Sequence, residues 1–182
     1  MAETKKIKVS ARIEDNIEYL KEKLGIGVSF DIVLREFKIG RKKVALIFVD
    51  GFTNGHLATL ILQNLLSARH EEIVPDTLEK LISSKIPYIE LDSAADMDEI
   101  VDEILSGPAA LFIDGEKEAI ILDIREYPAR QPDEPDIEKV TRGSRDGFVE
   151  TLVFNISLIR RRLRDPALRA EVFRIGQRSK TD

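Results

Sequence analysis

The chain has no cysteine and no tryptophan. Without cysteine there are no disulfides, no thiolate nucleophile and no cysteine-ligated zinc, which fits a reducing compartment. Aromatic residues make up only 6% of the sequence, so stacking platforms for single-stranded nucleic acid are not expected. There are two histidines, His56 and His70, in no metal-ligand spacing. His70 sits beside two carboxylates in "RHEE" but reads as an exposed helix end. No uninterrupted apolar run approaches the roughly 18 residues of a membrane span, and the first residues lack an apolar signal core. No GxGxxG, GxxxxGK[ST] or GxSxG pattern occurs, and the carboxylate pairs fall on solvated helix faces. The sequence therefore predicts neither an enzyme nor a cofactor site.

What is present is a globular composition, 43% apolar and 34% charged, with a net charge of −5. That charge is unevenly spread. Residues 156–182 carry eight basic and three acidic side chains, a net of +5, while the rest carry 20 basic and 30 acidic, a net of −10. A basic end on an acidic body points either to an anionic partner such as a membrane surface, or to a helix face solvated by arginines.

The periodicity predicts an α/β (α+β) chain. Residues 1–25 read as a mobile, lysine-bearing lead-in over 1–11 followed by a helix over 13–25, stopped by Gly25. Strands over 28–40 and 42–51 meet at a Gly40-Arg41 hairpin, and "VALIFV" reads as a buried central strand. A helix over 55–68 turns Leu57, Leu60, Ile61 and Leu65 inward. Asp76 is expected to cap the next helix, and 87–91 to be a short strand. An acidic helix over 95–107 precedes strands over 108–114 and 118–126, joined at Asp114-Gly115. "VALIFVDG" and "AALFIDG" echo one another, which suggests two small mixed α/β subdomains, 26–92 and 93–182. The second closes on a C-terminal helical pair.

Residues 127–146 carry three prolines and read as a long charged connection. Asp146 is an expected N-cap. Phe148, Leu152, Ile156, Ile159 and Leu163 then form one apolar stripe of a helix over 147–164. Pro166 ends it and opens a second helix over 166–175, with Leu168, Val172 and Ile175 inward. Glu150 would sit in the first turn, where a carboxylate is favoured. Asn155 sits mid-helix against propensity, which implies a hydrogen bond either to a loop of the same domain or to a neighbouring subunit. In "VDGFTNG", Asp50, Thr53 and Asn54 lie at the end of a buried strand, where α/β proteins bind ligands, although turn and cap chemistry explains them as well.

The segment from Tyr127 to Asp182 resembles the spore germination receptor A-subunit family of the GerA type, in its SpoVAF-like branch. The shared pattern is the Tyr127-Pro128 turn, the Glu134-Pro135 step, the core Arg142, Gly143, Arg145, Asp146, Gly147, Phe148 and Glu150, the stretch Asn155–Arg162 with Arg160, Arg161 and Arg162, and the Arg164-Asp165 corner. "SFDIVLREFKIGRKKVALIFVDGF" and "ALFIDGEKEAIILDIREYPAR" extend the likeness to residues 26–182. The resemblance implies the N-terminal domain of a longer membrane protein. That protein would act in the inner membrane of bacterial endospores, with this domain on the spore-core side. It implies that other copies and partner germination membrane proteins assemble with the domain, that anionic lipid lies near its C-terminus, and that the domain couples to ion release. Arg142, Gly143, Arg145, Asp146, Gly147, Glu150, Asn155 and Arg160, Arg161 and Arg162 are the expected assembly and coupling motif, with the helices over 147–164 and 166–175 packing between neighbouring subunits or against the membrane. A small-molecule or ion sensor with a pocket between the two α/β units is the competing reading. Nucleic acid is not expected, because the chain is acidic overall.

Overall fold

The computed structural model describes residues 6–86, 90–127 and 148–178. Five strands form one antiparallel sheet in the order β1-β2-β4-β5-β3: β1 Ile32–Ile39, β2 Lys42–Val49, β3 Leu91–Ala94, β4 Ala109–Ile113 and β5 Ala119–Leu122. The helices are α1 Ile13–Leu24, α2 Gly55–Ser67, α3 His70–Ile73, α4 Thr77–Lys80, α5 Met97–Ser106 and α6 Leu152–Arg162, with a π-helical stretch Leu81–Lys85 after α4. The mixed α+β class expected from the sequence is what forms.

Alternation along the strands divides the core. Ala45, Ile47, Val49, Ala110, Phe112 and Ile121 face α1 and α5. Val44, Leu46, Leu111, Ile113, Ile120 and Leu122 face α2 and the residues after it. Because a strand sends successive side chains to opposite faces, a strand covered by helices on both sides must be apolar throughout. β2 and β4 read that way, and they are the central pair, with Val44 opposite Ile113 and Ile47 opposite Ala110. The two echoing runs are thus hydrogen-bonded neighbours, and the stretches 26–92 and 93–182 contribute to one shared sheet. The hairpins form where glycines accept positive φ, at Gly40 (59°) and Gly115 (90°).

α1 ends at Gly25 in the left-handed region, and α5 begins at Asp96, whose carboxylate accepts from the Asp98 and Glu99 amides. The Tyr19 hydroxyl donates to Asp98 at 2.9 Å and ties the two helices together. That bond holds the Asp98 carboxyl below its usual range, while burial and the same bond push Tyr19 up.

Several expectations are corrected. The lead-in docks: Val9 is buried and its amide donates to the Ala95 carbonyl at 2.9 Å. Leu60 is exposed, because α2 buries only Ile61 and Leu65 fully. Asp76 makes no side-chain cap, its backbone being left-handed at φ 63°. β3 starts at Leu91, and residues 87–89 of the expected strand lie outside the described residues.

The C-terminal helical pair is a single helix. Residues 166–175 form no helix, and Val172 and Ile175 are exposed. The Asp165 carboxylate accepts from the Ala167 amide at 2.8 Å and its carbonyl accepts from the Leu168 amide at 3.1 Å, giving one turn. Beyond it the backbone bonds elsewhere. The Phe30 amide donates to the Ala170 carbonyl and the Ala170 amide to Ser29 Oγ, both at 2.9 Å. Tertiary partners satisfy groups that a helix would otherwise pair internally.

Gly51, after β2, has φ 81°, and a Cβ there would lie 2.2 Å from Ser157 Oγ and 2.9 Å from Val153 Cγ1 of α6. Gly51→Ala is expected to destabilise the chain by about 1–3 kcal/mol through overpacking and backbone strain. Gly51→Ala/Ser157→Ala should recover part of that loss in urea denaturation.

Candidate functional site

α6 crosses the end of the sheet at which β1 starts and β2 ends. Its axis matches expectation from Leu152 onward, but its inward face does not. Val153, Ser157 and Arg160, spaced by four and three, face the body together with Ile156 and Leu158. Phe148, Leu152, Ile159 and Leu163 of the expected apolar stripe point outward.

Arg160 explains the rotation. Its side chain is fully buried, the largest such side chain described. Nε donates to Asp31 Oδ2 at 2.8 Å and Nη2 to Asp31 Oδ1 at 2.9 Å, a bidentate pair in which both side chains are 1% exposed. Nη2 also donates to Ser29 Oγ at 3.2 Å and Nη1 to the Leu168 carbonyl at 3.4 Å. Ser29 Oγ in turn donates to Asp31 Oδ1 at 2.7 Å. Planar guanidinium and carboxylate match edge to edge, which is what a pair removed from water requires.

Magnitudes decide between the two orientations of α6. Leu152, Ile159 and Leu163 are 40%, 37% and 49% exposed. Turning them inward would cover only what remains of each, about 1 kcal/mol apiece. It would also withdraw Arg160 from Asp31 and leave a buried carboxylate unpaired, at about 3–5 kcal/mol. The ion pair wins, and the notch at Gly51 receives Ser157.

A second arginine fastens the segment that follows. Arg169 Nη2 donates to the Glu22 and Lys23 carbonyls at 3.0 and 3.1 Å, capping the C-terminus of α1. The guanidinium covers Gly25, where a Cβ would lie 2.0 Å from Arg169 Nε.

The expected coupling residues are differently placed. Arg142, Gly143, Arg145, Asp146 and Gly147 lie outside the described residues. Glu150 is exposed and precedes the helix, whose N-cap is Thr151, so it is not in the first turn. Asn155 bonds within its own chain: Oδ1 accepts from the Val149 amide at 2.7 Å, and Nδ2 donates to the Val149 carbonyl at 2.6 Å. Of its two expected partners, the loop of the same domain is the one found. Arg161 lies 4.8 Å over the Tyr127 ring, which meets Phe52 edge-on at 5.3 Å. The Tyr127 hydroxyl donates to the Ser106 carbonyl at the end of α5. Arg162 donates to the Leu158 carbonyl at 3.1 Å.

Asp50, Thr53 and Asn54 are engaged in turn and cap bonds. Asp50 accepts from the Gly51 amide at 2.9 Å, Thr53 donates to the Val49 carbonyl at 3.3 Å, and Asn54 caps α2 through the Leu57 amide at 2.9 Å. They line neither of two open clefts. One, of about 370 Å³, lies between β3 and α5 and is lined by Glu90, Asp92, Glu99, Glu103 and Asp123 among others. The other, of about 410 Å³, lies between α1 and residues 166–169. Among the described residues no carboxylate or histidine group is arranged to hold a metal ion.

Sequence reasoning missed Asp31, Ser29 and Arg169, and had Tyr127 only as part of the Tyr127-Pro128 turn. A signal existed for Asp31: in "VSFDIVL" a carboxylate is flanked by apolar residues and enters a strand, and a carboxylate buried there demands a cation.

The family model of the Bacillus/Clostridium GerA spore germination protein matches residues 18–182. Stage V sporulation protein AF of Bacillus subtilis is 37% identical over 97% of this chain and 36% of its own length. Spore germination protein KA of the same organism is 29% identical over 96% of this chain and 32% of its own. The chain thus spans about a third of the length of these relatives. The N-terminal domain of the A subunit of the Bacillus megaterium spore germinant receptor GerK3 superposes with a TM-score of 0.73 at 22% identity. The match covers 96% of this chain and 64% of that one, and shows a shared fold.

Arg160→Met should cost about 3–5 kcal/mol in urea denaturation, because Asp31 stays buried without its cation. Arg160→Met/Asp31→Val should recover most of that loss, because an apolar pair carries no desolvation penalty.

Proposed function

The chain belongs to the GerA spore germination family, and from that membership we propose that it is the N-terminal domain through which a spore inner-membrane protein assembles with its neighbours and couples to ion release. In this reading the domain lies on the spore-core side, and other copies and partner germination membrane proteins contact it around Glu150, just before α6, and Arg161, at its end. None of the described helices is long and apolar enough to cross a membrane. The membrane part of the complex is therefore assigned to sequence that the longer relatives possess and this chain does not span.

One observation carries the reading. The segment from Val149 to Ala170 is bolted to the body at two points, by Arg160 on Asp31 at its middle and by Arg169 on the end of α1 at its far end. A rigid attachment transmits displacement, because packed elements shift as units rather than deform continuously. A partner that pushes α6 moves the start of β1 and the end of α1 with it. Glu150 and Arg161 stand exposed at opposite ends of α6, where such a partner would meet them.

The test is the subunit count of the full-length protein in detergent, wild type beside Glu150→Ala and Arg161→Glu, with ion release from spores measured in parallel. Glu150→Ala should melt within a few degrees of wild type as an isolated domain, since surface changes typically cost under about 0.5 kcal/mol, and Arg161→Glu, which gives up the contact with the Tyr127 ring, should cost about 1 kcal/mol and stay folded. They should nevertheless give smaller complexes and slower ion release. Unchanged subunit counts and unchanged release in both variants would reject the assembly reading.

A further inference from the structure

α6 presents a line of apolar side chains to solvent. Among the described residues, seven of the twelve exposed large hydrophobic side chains fall between Phe148 and Ile175, a concentration that scattered surface apolarity does not produce. Leu152, Ile159 and Leu163, spaced by seven and four, form one line along the helix, and Phe148, 70% exposed, extends it at the head. Arg161, Arg162 and Arg164 are exposed in the last turn and just after it. Between Thr151 and Arg164 there is no acidic residue, and Glu150 and Asp165 flank the stretch.

We propose that this face of α6 lies on an anionic lipid bilayer, with Leu152, Ile159 and Leu163 entering the headgroup–acyl boundary and Arg162 and Arg164 at the level of the lipid headgroups. Charge complementarity selects this occupant. A helix that is apolar on one side and cationic at its end satisfies both demands in the plane of such a surface. Arginine stems cover apolar surface while their heads stay hydrated. The acidic remainder of the chain, net −10 outside residues 156–182, is repelled by the same surface and so sets the orientation. A second copy apposed in parallel through the same stripe would instead bring two arginine clusters together, and an antiparallel one would offer them no acidic residue within the stripe. The inference rests on the membrane-complex reading for its setting, but it is read out on the 182-residue chain with vesicles alone. Either can fail without the other.

The experiment is flotation of the 182-residue chain with phosphatidylcholine vesicles and with vesicles in which part of the lipid is phosphatidylglycerol, at low salt. Wild type should float with the anionic vesicles and not with the neutral ones. Leu152→Ser/Ile159→Ser/Leu163→Ser and Arg162→Gln/Arg164→Gln should each lose about tenfold or more in partitioning, with thermal melts showing that both remain folded. Arg35→Gln/Lys38→Gln, at the exposed edge of β1, should float like wild type. No flotation with anionic vesicles would overturn the proposal, as would equal loss in the Arg35/Lys38 variant. So would a wild-type dimer seen by light scattering that the triple-serine variant abolishes.

Discussion

The Asp31–Arg160 pair is the constraint to which the C-terminal third of the chain is fitted. A carboxylate placed at the mouth of a strand and covered on all sides needs a cation of matching shape. The cation it has is carried by α6, so α6 must present Arg160 inward. Everything else on that helix follows from its angular position. Ser157 and Val153 meet Gly51, Arg161 reaches the Tyr127 ring, and the leucine and isoleucine stripe is left outside. Ser29 belongs to the same arrangement, accepting from the Ala170 amide and so fixing where the chain runs after the helix.

The body of the fold was legible because its signals are local. Both hairpins are written as glycine-bearing turns between apolar runs, and β2 and β4 as runs apolar on both faces. Helices α1, α2 and α5 are written as stripes bounded by a polar cap, a glycine stop or both. Apart from Leu60, which α2 leaves exposed, the pattern and the packing agree, as they must in a chain whose local preferences support its global fold. The sheet order was less legible, since nothing in the sequence says that two echoing strands pair with each other rather than each with a sheet of its own.

The site was legible in place and not in orientation. The arginine-rich segment stood out in the sequence as the unusual part of the chain, but hydrophobic periodicity assigned α6 the wrong inward face. That rule assumes that burial of apolar area decides, and here a buried charge decides instead. Asn155 was marked for its poor helix propensity, and its two bonds to Val149 are the kind of compensation expected at such a position. The strap after Pro166 was misread as helix because its partners, Phe30 and Ser29, lie far away in sequence. Asp31 and Arg160 are separated by 129 positions, a distance over which no window-based pattern speaks.

That separation also bears on the order of events during synthesis. The β1–β2 hairpin can close soon after its own residues leave the ribosome, since its contacts are local and loop closure costs little over short spans. Asp31 is then in place with no counter-ion, and must remain hydrated until Arg160 has been made. The pocket around it cannot close while the carboxylate is alone, so the end of the sheet holding Asp31 stays open to water until Arg160 reaches it. Arrival of α6, rather than collapse of the sheet, is what seals the domain.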